Sequence, residues 1–357
     1  MGCESRGLLV PDYLAELQRD RVDVPVNALP DDEAYLLVNG RWSHIHTAAL
    51  QQINTALTDA SGAVAMALLD RTRAEAFWSS GCVLPDGVAA ETDATIDLIT
   101  RPWQVIQQAH ANLPGDIERI AAEPLSIDDP TVVITGGGAV YAEQGVKIGS
   151  HVVFETGGGA VLLAAGAKIE SMTTLQGPCY VGPDSTVIRH GDIRANTVIG
   201  PVCKVGGEVS GTVVQGFSNK AHFGFVGDSY IGEWVNLGAG TTTSNLKNTY
   251  GDVSMAIDPG GEAEPTGMPF LGSVIGDHAK TAIGTRLTTG SCLRTGAMVA
   301  VSSFAPKFVA RFAFLTDGQE RRYELTKFVE VAERMMHRRG QTVSEALRSR
   351  LAELRLV

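Results

Sequence analysis

A six-residue apolar repeat constrains this chain more than any other feature of its sequence. Across residues 163–205 every sixth residue is Leu, Ile or Val, and a small or polar residue usually follows it. An α-helix requires a period of about 3.6 and a half-buried strand a period of about 2. The repeat therefore predicts a coil in which three hexads close a triangular prism, that is, a parallel β-helix. The eight positions are Leu163, Ile169, Leu175, Val181, Val187, Ile193, Ile199 and Val205.

The same period returns in shifted frames on both sides of this run, as loops inserted at prism corners would produce. We therefore expect the solenoid to cover about residues 131–305. The alternative is a sheet sandwich that happens to repeat every six residues, and eight consecutive apolar positions argue against it. The further positions are Val140, Val146 and Val152, then Phe225, Ile231 and Leu237, and then Ile275, Thr281, Leu287, Leu293 and Val299.

Composition narrows the class of protein. A length of 357 residues allows two or three domains, and a net charge of −11 argues against bulk binding to nucleic acid or to anionic membranes. The five cysteines are scattered without a Cys-x-x-Cys pair, which is typical of reduced residues and predicts a cytoplasmic location. No apolar run is long enough to span a membrane, and the first residues do not resemble a secretory signal.

The segments flanking the repeat have a different character. Residues 34–41 and 62–69 read as strands, with helical stretches at 11–19, 48–57 and within 88–122, which indicates a small α/β layer. The apolar run ending in Asn39-Gly40 is either a buried parallel strand that leads into a site or a strand followed by a local turn. After the solenoid, an apolar stripe and a capping box at residues 342–345 predict two helices. The predicted domains are thus 1–125, 126–305 and 306–357.

Two polar segments interrupt the repeat and are the predicted functional inserts: residues 215–228, and the segment that follows 231–245 and runs to about residue 272. His222 lies in the first insert. An imidazole titrates near neutrality and can accept a proton from an amine or a hydroxyl during acyl transfer. A histidine in a glycine-rich loop also has a purely structural interpretation, which the local residues leave open.

The segment around His222 resembles the acyltransferase half of the bifunctional N-acetylglucosamine-1-phosphate uridyltransferase/glucosamine-1-phosphate acetyltransferase family. The family pattern is His-x-x-Tyr-x-Gly-Asp, then Ile-Gly, then Val-Asn-x-Gly-Ala-Gly-Thr-x-Thr-x-Asn. The resemblance implies a left-handed β-helix for the solenoid and a nucleotidyltransferase-like remnant for the N-terminal α/β part. The matching residues are His222, Phe225, Gly227, Asp228, Ile231, Gly232, Val235, Asn236, Gly238, Ala239, Gly240, Thr241, Thr243 and Asn245.

The resemblance also implies roles for individual residues. His222 would be the general base, Asn236 and Asn245 would contact the sugar, and Ala239 would lie beside acetyl-CoA or another acyl-CoA. Ser273 resembles the family's serine that contacts the acyl donor. Glu208 stands where the family has a glutamate that supports the site. A homotrimer is expected, with the acyl-CoA lying along the solenoid between subunits.

The sequence departs from the family where the substrate phosphate is held. Ser210 replaces a lysine, and Phe225 replaces a tyrosine and has no hydroxyl. Arg189 or Arg194 is a candidate for the family's upstream arginine, while Lys220 and Lys247 either replace part of the lost charge or are solvated surface residues. Loss of a cation and a donor changes how a phosphorylated sugar would bind.

The N-terminal part departs further, because Arg41 stands where the family has a metal-binding aspartate. The glycine-rich nucleotide-binding segment is also absent from the start of the given sequence. Mg²⁺ would be required only if nucleotidyl transfer were active. Histidines spaced for a zinc site of the carbonic-anhydrase type are not found among His151, His190, His222 and His278, so no metal site is predicted.

The predicted function is therefore acyl-CoA-dependent acyl transfer to a sugar phosphate or nucleotide-sugar. Two alternatives remain open at this point. One is a sugar-1-phosphate nucleotidyltransferase, and the other is a non-catalytic solenoid that binds a nucleotide-sugar or a partner protein.

Overall fold

The computed structural model describes residues 6–43, 52–120 and 123–356. The chain divides into two compact units, residues 1–101 with 343–357, and residues 102–342. The boundaries predicted at 125 and 305 stay a prediction, since the structural units are drawn at other residues. The described residues form five helices: α1 (Asp12–Arg19), α2 (Arg71–Ser79), α3 (Pro102–Arg119), α4 (Leu325–His337) and α5 (Glu345–Leu356).

The N-terminal unit contains a small mixed sheet with strand order β1-β3-β2-β4. Strand β1 runs antiparallel to β3, and after β1 the Trp42 N–H donates to the Asn39 carbonyl at 2.9 Å. Asn39-Gly40 is thus a local turn, which was one of the two sequence interpretations. The strands are β1 (Ala34–Val38), β2 (Thr55–Thr58), β3 (Val64–Asp70) and β4 (Ala89–Thr92).

Three helix predictions need correction or fall outside the described part. Residues Thr55–Thr58 form a strand instead of the end of a helix, while 48–51 lie outside the described residues. The helical stretch expected within 88–122 is shorter than that range, since Ala89–Thr92 form a strand and α3 begins at Pro102. The last helix is capped by Ser344, whose hydroxyl accepts the Leu347 N–H at 3.1 Å, so the predicted box at Thr342 is not the cap.

The second unit is dominated by a parallel β-solenoid with three faces. The first face contains Glu123–Pro124, Val140–Ala142, Val161–Leu163, Cys179–Val181, Thr197–Ile199, Val213–Gly216, Tyr230–Glu233, Ser273–Ile275, Ser291–Leu293 and Phe308–Val309. The second contains Lys147–Ile148, Lys168–Ile169, Thr186–Val187, Lys204–Val205, Asn219–Lys220, Asn236–Leu237, Lys280–Thr281, Met298–Ala300, Ala313–Thr316 and Gln319–Arg322. The third contains a six-stranded sheet of Val133–Thr135, Val153–Glu155, Thr174–Gln176, Asp192–Ile193, Glu208–Ser210 and Phe225–Gly227. A separate two-stranded sheet of Thr242–Thr243 and Arg286–Leu287 follows it on the same side.

The register between coils confirms the hexad repeat. Leu163 pairs with Val181, and Val181 with Ile199, so one coil of three hexads advances the chain by 18 residues. All eight predicted positions are buried in one core that runs along the inside of the stack. The parallel β-helix is therefore confirmed, and its left hand stays a prediction from the family resemblance.

Two details of the predicted repeat are wrong. Val226 is the inward residue of its strand and is fully buried, while Phe225 lies on the outward side and is only half-buried. Residues 215–228 are not an insert, since Val214 pairs with Ile231 after an advance of 17 residues. The second insert is real, because Ile231 pairs with Ile275 and the extra chain includes the hairpin Ser254–Met255 and Glu264–Pro265.

Helix α3 packs against the outer side of the first face. Trp103 and Ile106 are buried in a cluster with residues of the second insert, such as Met255 and Leu271. Further along the same helix, Leu113 and Ile117 pack on Leu162. Helix α3 thus belongs to the solenoid unit and fixes the second insert on its surface.

Helix α4 covers the edge between the first and second faces. Aromatic rings are stacked there, with Phe217 and Trp234 ring centroids 4.5 Å apart and Phe312 meeting Phe328 of α4 edge-on at 4.9 Å.

Among the described residues, no helix combines the length and the apolarity needed to cross a membrane.

Candidate active site

The edge between the second and third faces, here the His222 edge, carries the predicted general base. His222 and Phe223 are exposed at this edge. One coil later the chain passes it again at Ala239 and Gly240, and the Gly240 N–H donates to the Phe223 carbonyl at 2.9 Å. The structure therefore brings His222 and Ala239 into neighbouring turns of the same edge.

Asn236 lies three residues before Ala239, on the second face. Its strand pairs with the preceding coil at Asn219, whose side-chain Nδ2 donates to Asn236 Oδ1 at 3.4 Å. Arg339, just beyond α4, donates from Nη2 to Asn219 Oδ1 at 2.7 Å. Because a guanidinium can only donate, this bond fixes the Asn219 amide so that its NH₂ faces Asn236. The Asn236 Oδ1 is thereby fixed as the acceptor in this pair.

The outward side of the third face carries three more predicted residues. Glu208 and Phe225 are directly paired across neighbouring strands. Arg194 Nη2 lies 2.8 Å from Glu208 Oε1, and its Nε lies 3.4 Å from Asp192 Oδ2. All three charges are partly exposed, so the network stabilises the fold little. It nevertheless holds Arg194 between two carboxylates, which compete with any phosphate for the guanidinium.

Asn245 lies at a different edge, between the third and first faces. Its Nδ2 donates to Asp228 Oδ2 at 2.6 Å. Burial raises the pKa of Asp228, which the hydrogen bond from Asn245 and the nearby His110 partly oppose. His110 belongs to α3, and its Nε2 lies 2.9 Å from the Gly211 carbonyl. Sequence reasoning missed His110, because no local signal connects α3 with a motif more than 100 residues away.

Ser273 also lies at this second edge, and it is fully buried. Its backbone N–H donates to the Ser229 hydroxyl at 2.9 Å, which ties the two coils together. The predicted contact of the Ser273 side chain with an acyl donor stays a prediction, and its burial does not favour that contact. The predicted site residues of one chain are therefore spread over two edges, over the third face between them and, with Asn236, over the second face.

Burial removes one of the two candidate lysines from the phosphate-binding role, while the role of Lys247 stays a prediction. Lys220 is only 4% exposed and points into the solenoid, so both the phosphate-binding and the solvated-surface interpretations are wrong for it. Lys247 donates to the Asp252 carbonyl at 2.5 Å within its own insert. Within the described residues, no group of three His, Cys, Asp or Glu side chains is arranged to hold a metal ion.

A cavity of about 400 Å³ lies within the N-terminal unit, between α1 and α5. Tyr13, Asn27 and Arg350 are among its lining residues, and none of the predicted site residues contributes to it. This cavity therefore gives no support to a site around His222.

Fold and repeat together define the solenoid as a hexapeptide-repeat parallel β-helix. No family model matches the chain. Similarity to curated proteins confirms the resemblance that the motif around His222 indicated. The similarity is confined to the part of this chain that corresponds to the C-terminal region of those proteins.

Three of these relatives illustrate the match. The bifunctional protein GlmU of Methanococcus vannielii is 29% identical over 130 residues, covering 36% of this chain and 31% of the relative. GlmU of Rippkaea orientalis is 41% identical over 69 residues, covering 19% and 14%. The bifunctional sugar-1-phosphate nucleotidylyltransferase/acetyltransferase of Sulfurisphaera tokodaii is 33% identical over 100 residues, covering 28% and 24%. The chain thus spans about a third or less of each relative's length.

Among solved structures, a hexapeptide transferase family protein from Anaplasma phagocytophilum matches with a TM-score of 0.30 and 14% identity. The match covers 63% of this chain and 95% of that protein.

Proposed function

We propose that this protein transfers an acyl group from an acyl-CoA to a sugar phosphate or nucleotide-sugar, with His222 as the general base. The observation that carries the proposal is the position of His222. Its side chain is exposed on an edge of the β-helix, in the turn next to Ala239, within the motif shared with the acetyltransferase family. An exposed imidazole in a rigid turn is suited to accept a proton from an attacking amine or hydroxyl.

The surface around His222 suits an acyl-CoA. Phe223 and Ile283 are 73% and 79% exposed and lie in neighbouring turns on either side of Ala239. This apolar strip offers a surface for the apolar arm of the donor, while the small side chain of Ala239 leaves room for the thioester. The protein's own part is then to hold the acceptor beside the thioester and to take up one proton.

The acceptor would be positioned by the two asparagines and by the third face. Asn236 presents amide donors, and Asn245 is oriented by Asp228. Glu208 and Arg194 offer one carboxylate and one guanidinium beside the Phe225 ring. Since Phe225 has no hydroxyl and Arg194 is already paired, a phosphate on the acceptor would be held less tightly than the family pattern implies.

The separation of the two edges supports a homotrimer in which copies share sites. In one chain, His222 and Asn245 lie on different edges of the third face. Parallel copies packed side by side would set the His222 edge of one copy against the Asn245 edge of the next. Each site would then take its base from one copy and part of its acceptor-binding group from another.

Nucleotidyl transfer receives no comparable support. Strand β1 pairs antiparallel with β3 and ends in a local turn, so it does not deliver Arg41 to the carboxyl edge of a parallel sheet. A requirement for Mg²⁺ would arise only with that activity. The alternative that the experiments must exclude is a non-catalytic solenoid that binds a nucleotide-sugar or a partner protein.

The test is an acyl-transfer assay that follows thiol release with acetyl-CoA and longer acyl-CoAs against amino-sugar phosphates and nucleotide-sugars. We expect activity with at least one pair and a loss of about 10²- to 10⁴-fold in His222→Ala, the range for removal of a general base. A His222→Ala chain that matches wild-type rates with every acceptor would disprove the role. Absence of turnover together with a thermal shift by nucleotide-sugars alone would favour the binding protein.

Shared sites can be tested separately by mixing His222→Ala chains with Asn245→Ala chains. If each is inactive alone, hybrid trimers should regain part of the activity, because some sites then combine two intact halves. Hybrids that form but stay inactive would place the whole site in one copy.

A further inference from the structure

Lys220 occupies a position that the hexad repeat reserves for apolar residues. Its strand pairs with the preceding coil so that Lys220 stands opposite Val205, and the next coil places Leu237 at the same level. Val205 and Leu237 are both buried in the core of the solenoid. The lysine side chain is therefore directed into the prism, where an ammonium group loses most of its hydration.

The turn below Lys220 is shortened at the His222 edge. In an ordinary coil the inward residues on either side of this edge are six apart, as Val187 and Ile193 are. In the next coil the corresponding residues are Val205 and Val209, only four apart. The shortened turn removes backbone atoms that would otherwise lie beneath the His222 turn.

The ammonium group of Lys220 supplies hydrogen bonds that the shortened turn lacks. In the coil before it, the Gly191 N–H donates to the Ile188 carbonyl within the turn. The corresponding carbonyl of the shortened turn belongs to Gly206, and it accepts from Lys220 Nζ at 2.7 Å. The same Nζ donates to the His222 carbonyl at 2.5 Å. One buried cation thus joins the shortened turn to the turn that carries the predicted base.

Gly207 makes room for this arrangement. Its φ is +70°, and a Cβ at this position would lie 2.7 Å from the His222 carbonyl oxygen and 2.9 Å from Lys220 Nζ. Both distances are shorter than real Cβ contacts allow. The space beneath His222 therefore accommodates the lysine only because Gly207, which faces it, has no side chain.

We propose that Lys220 is a positioning residue for His222: through its hydrogen bond to the His222 carbonyl it holds the backbone of that turn, and so sets where the imidazole meets the acceptor. The catalytic part of this inference rests on the proposed function. A purely structural lysine would stabilise the coil without affecting the imidazole. The two roles differ in what Lys220→Met should change, because methionine keeps the length and apolar stem of the side chain and removes its donors.

The experiment compares Lys220→Met with Lys280→Met in the full chain. Lys280 is a matched control, since its Nζ donates to the His278 carbonyl at 3.1 Å and burial likewise lowers its pKa to about 8. Histidines labelled with ¹³C in the ring are observed by NMR, and the His222 signal is assigned by its loss in His222→Ala. We expect Lys220→Met to shift or broaden the His222 signal, whereas Lys280→Met leaves it in place.

Kinetics provide the second readout. A displaced base should lower kcat of acyl transfer about 10- to 100-fold in Lys220→Met with a smaller change in KM, since small misplacements of reacting groups act on the rate. If Lys220→Met leaves both the His222 signal and kcat at the values of Lys280→Met, the positioning role is wrong. If no acyl transfer is found, the NMR comparison still decides the position of His222, so failure of the proposed function is told apart from failure of this inference.

Should Lys220→Met fail to fold, Lys220→Gln replaces it with the same readouts. Glutamine retains two N–H donors on a shorter stem, so it keeps a polar group in the gap but does not reach both carbonyls as the lysine does. A shifted His222 signal in a folded Lys220→Gln chain supports the inference, and an unchanged signal overturns it.

Discussion

The buried ammonium of Lys220 should make the stability of this protein rise with pH in the alkaline range. Burial lowers the pKa of Lys220 from 10.5 to about 8. In the unfolded chain the same side chain is hydrated and keeps its proton up to the ordinary value. Between the two pKa values, the unfolded chain therefore binds a proton that the folded chain has released.

The sign and the size of the effect follow from proton linkage. The free energy of unfolding rises with pH wherever the unfolded state binds more protons. One pKa unit corresponds to about 1.4 kcal/mol, so the whole window from about pH 8 to 10.5 contributes at most about 3 kcal/mol. Below about pH 8 both states are protonated, and the cost of burying the charge is fully present. As pH rises through the window this cost is relieved.

The measurement is chemical unfolding of wild type and Lys220→Met at a series of pH values, followed by far-ultraviolet circular dichroism. Buried thiols act in the opposite direction, since burial raises the pKa of Cys179 to about 12 and that of Cys203 to about 11. These cysteines are present in both chains, so they cancel in the difference. We expect the stability of wild type relative to Lys220→Met to rise by about 2 kcal/mol between pH 8 and 9.5.

Lys280→Met serves as a second reference, because burial also lowers the pKa of Lys280 to about 8. It should lose a similar part of the pH dependence. Parallel curves for wild type and Lys220→Met across this range would show that the Lys220 ammonium is not buried as the structure has it.

Three further predictions concern other parts of the solenoid unit. Ile193→Ala removes a fully buried inward residue and should lower the free energy of unfolding by about 2–5 kcal/mol. Arg194→Ala, on the outward side, should change it by less than about 1 kcal/mol. Equal losses of the two variants in urea unfolding would contradict the assigned inward and outward directions. Gly207→Ala should cost more than about 1–2 kcal/mol, because the positive φ alone costs about that much and the new Cβ would also press on the His222 carbonyl. An unchanged midpoint in urea unfolding would contradict the tight space beneath His222. Arg339→Met removes the hydrogen bond that fixes the Asn219 amide, and Asn219 in turn orients Asn236. KM for the acceptor should therefore rise about 3- to 10-fold with little loss of stability. A KM equal to that of wild type would show that Arg339 does not act on the site.

The motif around His222 was sufficient to predict two members of the candidate site together. His222 and Ala239 lie 17 residues apart, close to one coil length, so any chain that winds as a hexad coil brings them to the same edge. Asn245 could not be located in this way. It lies at the start of an insert, and its edge is decided by where the strand Thr242–Thr243 ends and by the packing of that insert under α3.

Lys220 shows the limit of reading a repeat by residue type. From the sequence, Lys220 is either a substitute for part of the lost phosphate-binding charge or a solvated surface residue. Its inward direction becomes visible only in the register with Val205, and its partners are carbonyl groups in two different coils. Every residue has a backbone carbonyl, so the sequence does not indicate which carbonyl groups require a side-chain donor. The two bonds from Lys220 could therefore not be predicted.

The amino-acid sequence by itself determined the β-helix, because one apolar residue in each hexad must point into the narrow core of the stack. It also determined the family resemblance, which lies in a continuous motif. The tertiary structure decided that α3 covers the first face, that Lys220 closes the gap beneath His222, and that the predicted site residues are spread over two edges and two faces. These features depend on contacts between coils and between segments that are distant in the sequence. Which residues meet there is decided by complementary shape and by polar groups that require a hydrogen-bond partner, and the local sequence pattern does not record either.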